Sequence, residues 1–171
     1  VGLYTLTLFG LYAALRQNHG AIMALATALG FVGIALWLGN HSAFSMIVLS
    51  DKYAAAATEL QRSQFLAAGE AVIASDMYHS TAAFMCGIFL QGTTTLISIL
   101  MLRGGVFSKT TAWVGILTHG FDLLHVLVIP FVPAIGAGLM IVAGPRYPVW
   151  FFMVGRRLLQ LGKASRSGDR S

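Results

Sequence analysis

"AIMALATALGFVGIALWLG", residues 21 to 39, is a run of apolar and small residues without one charged side chain. A helix needs roughly 20 such residues to cross the hydrocarbon of a bilayer. A second run, "AAFMCGIFLQGTTTLISILML" at 82 to 102, meets the same standard. Across the chain 57% of residues are hydrophobic and only 10% charged, with a mean hydropathy of +0.76. A soluble domain carries about 25% charged residues. The expected fold is therefore all-α, an integral membrane helical bundle.

Five hydrophobic segments can be drawn outward from these two: 2 to 15, 20 to 50, 66 or 80 to 102, 110 to 130, and 134 to 157. The first begins abruptly with Val1, without a basic leader or a small-residue cleavage site, so the chain is expected to be an N-terminally truncated piece of a longer protein. A transmembrane domain over 1–162 is expected, with an extracytoplasmic helical connection at about 51–79, where the sequence is Ala-rich and free of proline. Residues 163–171 read as a polar cytoplasmic tail, disordered in character. Pro145 and Pro148 flank Arg146 inside the last segment and predict a broken helix or two short pieces there.

Cytoplasmic loops of membrane proteins carry the excess of Lys and Arg. Alternation of the segments places Arg16, Arg103, Lys109, Arg156, Arg157, Lys163, Arg166 and Arg170 on one side, against Lys52 and Arg62 on the other. The protein is thus expected in the cell membrane as a multi-pass protein with its carboxyl terminus in the cytoplasm. The net charge of +5 then serves topology and contact with anionic lipid headgroups, and no nucleic-acid partner is expected. The expected partners are the lipid bilayer and, through small-residue faces, other membrane subunits or a second copy. Ala26 with Gly30, Ala35 with Gly39, and Ala134 with Gly138 supply such four-residue spacings.

Against this apolar background, "THGFDLLH" at 118 to 125 places two imidazoles and a carboxylate in eight residues. On a helix, Thr111, Gly115, Thr118, Asp122 and His125 form one stripe with His119 on its flank, within roughly 120° of arc. Leu117, Phe121, Leu124 and Leu127 take the opposite side. Ionisable residues in a membrane almost always face protein or water. The 80 to 102 segment repeats the pattern with Ser80, Gly87, Gln91, Thr94, Thr95 and Ser98 on one face. An antiparallel pairing brings Asp122 level with Gly87 to Gln91, where the missing side chain lets the backbones approach. A buried polar layer of His119, Asp122, His125, Gln91, Thr118 and Thr94 is expected.

No catalytic residue is assigned, because neither a Gly-rich nucleophile elbow nor a phosphate-binding or dinucleotide loop is present. The single Cys86 excludes an internal disulfide and any multi-cysteine metal site. His119 and His125 lie about 9 Å apart along a helix axis, too far to share one ion, so no metal or other cofactor is predicted. Metal or haem stays open through outer-side candidates His41, Glu70, Asp76 and His79, with His41 facing His79 or His125 as the haem arrangement.

"LSDKYAAAATELQRSQFLAAGEAVIA" at 49 to 74, "MLRGGVFSKTTAWVGIL" at 101 to 117 and "WFFMVGRRLLQLG" at 150 to 162 together resemble a family of bacterial and archaeal multi-pass membrane proteins classed as a domain of unknown function. The resemblance implies about six helices, one of them amino-terminal to this chain, and carries no catalytic residues. Three functions follow as expectations. The first is a non-enzymatic structural or accessory membrane component with a buried polar layer. The alternatives are a small-solute or proton transporter using the Asp122, His119 and His125 face, and a metal- or haem-binding membrane enzyme.

Overall fold

A computed structural model describes residues 2–75 and 80–168, with side-chain surroundings to Ala164. The described residues form seven helices and no strand: α1 (Gly2–Gly39), α2 (Ala43–Ala54), α3 (Glu59–Ala74), α4 (Thr81–Gly104), α5 (Lys109–Val128), α6 (Pro133–Ala143) and α7 (Arg146–Gly168). Four stretches are long and apolar enough to cross a membrane: Gly2–Ala54, Thr81–Gly104, Lys109–Val128 and Pro133–Ala164. Two compact units divide the chain, one formed by residues up to Ile34 and from Gly87 onward, the other by Ala35–Cys86.

In the first unit, α1 would reach about 57 Å if straight, nearly twice the hydrocarbon thickness. His19 leaves helical geometry at φ −143° and ψ 42° and splits it. The flanking Asn18 and Gly20 are poor helix formers, which puts the break where local cost is least. The two arms fold back on each other: the Phe9 and Phe31 rings lie 4.8 Å apart, and a Cβ on Gly30 would stand 2.8 Å from Leu8 Cδ1. Asn18 Nδ2 donates to the Gly104 carbonyl at 3.2 Å, satisfying an acceptor that the end of α4 leaves without a helical partner. A glycine at φ +65°, Gly105, then turns the chain into α5, whose first turn is capped by Ser108 Oγ accepting from Thr111 N at 3.1 Å.

The core of this unit is built by Leu8, Leu11, Leu15 and Met23 from α1, Ile97 and Met101 from α4, Ala112 from α5, and Trp150 and Val154 from α7. Among these apolar groups, Thr94, Ser98, Thr118 and His119 are completely buried. The hydroxyls answer burial locally, each donating to the carbonyl four residues back: Thr94 to Leu90 at 2.7 Å, Ser98 to Thr94 at 2.8 Å and Thr118 to Val114 at 2.7 Å. The opposite surfaces expose Leu6, Leu25, Phe152 and Ile141, the last by 74%. Such a surface is unfavourable in water and ordinary against acyl chains.

The last segment is broken as its prolines predict. Helix α6 starts with Pro133 in its first turn, where a missing N–H costs nothing, and ends at Ala143; α7 begins at Arg146. Pro145 interrupts the carbonyl ladder, and the Arg146 guanidinium donates to the carbonyl of Val142 beside that interruption. The guanidinium carbon also lies 6.0 Å from the Phe121 ring centre, which gives the cation a polarisable face.

The second unit corrects the 20 to 50 segment: helix α1 stops at Gly39, and Asn40, His41 and Ser42 separate it from α2. Asn40 Nδ2 donates to Ser80 Oγ at 2.5 Å, and the same oxygen accepts from Ala83 N at 3.1 Å, opening α4. Helices α2 and α3 are packed together, with Ala56 buried at their junction. Thr58 caps α3 by accepting from Gln61 N at 3.2 Å, and Glu59 pairs with Arg62 at 2.8 Å. The carboxyl-terminal segment also differs from expectation, since α7 remains helical through Gly168 instead of ending near 162.

Candidate functional site

Three helices of the first unit converge on His119. It stands one turn before Asp122 on α5, and its ring is fully buried. Its Nδ1 lies 2.8 Å from Gln91 Oε1 of α4. Since an amide oxygen only accepts, Nδ1 carries the proton. Gln91 Oε1 also receives the Tyr147 hydroxyl of α7 at 2.9 Å, and that hydroxyl reaches Asp122 Oδ2 at 2.5 Å. One phenol proton faces two acceptors, and the bond to the carboxylate is the shorter and stronger.

The first arm of α1 closes the layer. Thr94 already donates to Leu90, so Tyr4 donates to Thr94 Oγ1 at 2.9 Å while its oxygen stands 3.4 Å from His119 Nδ1. Aromatic rings enclose the imidazole: Trp150 at 4.5 Å and Tyr147 at 5.0 Å, both edge-on, with Tyr4 at 6.3 Å. Edge-to-face packing suits the ring quadrupoles and excludes water from the imidazole. Among the described residues His119 Nε2 and Trp150 Nε1 are buried without a hydrogen-bond partner. With the proton on Nδ1, His119 Nε2 keeps an unshared lone pair inside this buried site.

Of the residues expected in one polar layer, His119, Asp122, Gln91 and Thr94 belong to a single connected network. Thr118 is buried on the same face but bonds only its own helix at Val114. His125 turns elsewhere, with Nδ1 donating to the Gly136 carbonyl of α6 at 2.8 Å. That contact depends on Gly136, where a Cβ would come within 2.7 Å of Ile129 Cβ. Asp122, expected level with Gly87 to Gln91, is joined to Gln91 by a bridge through Tyr147. At Gly87, where a close backbone approach is expected, the space is filled by a side chain of the facing helix: a Cβ there would meet Val126 Cγ2 at 2.6 Å. Leu117, Leu124 and Leu127 are exposed on the opposite side of α5. Of the small-residue spacings, Ala26 with Gly30 is a packed face, whereas Gly39 and Gly138 have open space where a Cβ would stand.

His41 and Glu70 are exposed residues of the second unit, His41 lying edge-on to Trp37 at 4.6 Å. Asp76 and His79 lie outside the described residues. Among the described residues no three His, Cys, Asp or Glu side chains gather where a metal ion could be held.

Sequence reasoning misses Tyr147, Tyr4 and Trp150. A legible signal exists on α7: Tyr147, Trp150 and Val154 recur at spacings of three and four, a single helix face, and all are buried or half-buried. No family model, curated protein or solved structure matches the chain.

Proposed function

We propose that this chain is a non-enzymatic structural or accessory component of a cell membrane, whose polar layer locks helices together. The observation that carries the proposal is the network itself: the polar groups of Gln91, His119, Tyr147 and Asp122 are directed at one another across α4, α5 and α7. Side-chain bonds of this kind in membranes contribute about 0.6 to 2 kcal/mol each. The carboxyl terminus is proposed to be cytoplasmic, on the basis of the basic residues that follow Gly155 and those near the α4 to α5 turn. Lipid and neighbouring membrane subunits, or a second copy, are the proposed partners.

A proton or small-solute path is the rival proposal, and it has one observation in its favour: the partnerless Nε2 of His119 next to a chain of protonatable groups. Proteoliposomes carrying a pH-sensitive dye, made with the natural protein and Asp122→Asn, separate the two. The lock predicts weaker resistance to denaturation in the variant and no flux that depends on Asp122. Flux in the natural protein that disappears in Asp122→Asn would establish transport instead.

A further inference from the structure

We propose that the outward face of α7 is a binding groove for an anionic phospholipid, with one acyl chain lying over Gly155 and the phosphate held between Arg156 and Lys163. The groove is a shallow, open trough on the helix surface, lined by residues of α7 alone, among them Phe152, Gly155, Arg156, Leu159, Gln160 and Lys163. Phe152, Arg156, Leu159 and Lys163 follow one another at spacings of four, three and four, so they form one longitudinal stripe. Phe152 and Leu159 are each 70% exposed and supply the apolar walls. At Gly155 a Cβ would meet nothing within 4 Å, and that absence of a side chain forms the floor between them.

The helix is held from its other side. Leu158 presses so closely on α1 that a Cβ on Gly10 would lie 2.6 Å from its Cδ1. The two adjacent arginines are correspondingly unlike. Arg157 Nε donates to the Val106 carbonyl at 2.7 Å, whereas neither Arg156 nor Lys163 has a hydrogen bond or ion pair among the described residues. The nearby turn between α4 and α5 adds Arg103 and Lys109 and no carboxylate. Two cations without a counter-ion, next to an apolar trough, match the charge and shape of a lipid phosphate and its chain. Each basic group near a membrane surface contributes to anionic lipid binding by about fivefold in affinity.

Native mass spectrometry of the detergent-purified chain, titrated with phosphatidylglycerol and with phosphatidylcholine of equal chain length, tests the site. Phosphatidylglycerol is expected to bind at least about tenfold more tightly. The double variant Arg156→Gln with Lys163→Gln is expected to remove that preference. Gly155→Leu, whose side chain enters open space, is expected to weaken binding of both lipids with an unchanged circular dichroism spectrum. Lys52→Gln with Arg62→Gln, which alters the same total charge on α2 and α3, is expected to leave the preference intact. Equal binding of the two lipids, an unaffected Gly155→Leu, or an equal loss in the Lys52 and Arg62 control would each overturn the proposal.

Discussion

Helix α5 contains two glycines five residues apart whose surroundings are opposite, and replacing each with alanine isolates the steric part of its packing. A Cβ at Gly115 would lie 2.9 Å from Ser98 Cβ and closer still to Ser98 Oγ and Trp150 Nε1. Neither neighbour yields easily: both are fully buried, and Ser98 is tied to the Thr94 carbonyl. At Gly120 a Cβ would meet nothing within 4 Å. Both substitutions gain up to about 1 kcal/mol of helix propensity, so that contribution cancels between them. Only Gly115→Ala meets overpacking, which costs about 1 to 3 kcal/mol. Gly120→Ala is therefore expected to be stabilised, and Gly115→Ala to fall below it by about 1 to 3 kcal/mol. Titration of the detergent-solubilised protein with sodium dodecyl sulfate, followed by tryptophan fluorescence and far-ultraviolet circular dichroism, measures the difference. If Gly115→Ala proves as stable as Gly120→Ala, α4, α5 and α7 do not meet as described.

Three further substitutions probe other joints. Tyr147→Phe deletes the hydroxyl shared by Gln91 and Asp122 and is expected to cost about 1 to 3 kcal/mol in the same titration, without loss of helix content. Gly136→Ala drives a methyl against the Cα and Cβ of Ile129 and is expected to cost about 1 to 3 kcal/mol, with faster proteolysis between α5 and α6. Thr58→Ala removes the cap of α3 and is expected to cost about 1 kcal/mol locally, detected as faster amide exchange in its first turn.

The helical membrane architecture is legible because hydropathy over 20 residues is a local property, and the break at Pro145 because proline acts on its own helix. The contact at Gly87 is legible only in part: the missing side chain leaves a gap between the helices, and the Val126 side chain, which single-helix patterns do not single out, fills it. Partner choice within the layer is not legible. Tyr147 on an apolar segment looks like an interfacial aromatic, and only the antiparallel fit of α7 on α5 brings its hydroxyl between Gln91 and Asp122. His125 shares the stripe of Asp122, yet the carbonyl offered by α6 captures its ring, a tertiary event outside any single-helix pattern. The split at His19 reads in the sequence as a gap between segments, although the interrupted helix there folds on itself.

The short α6 has a consequence for how the protein reaches its place. Its 11 residues extend about 16 Å, half of what a bilayer core demands. Alone it offers an insertion machine no complete span to release sideways. Only joined to α7, within the stretch Pro133–Ala164, does it reach the length of a crossing, so its entry into a bilayer is expected to depend on α7.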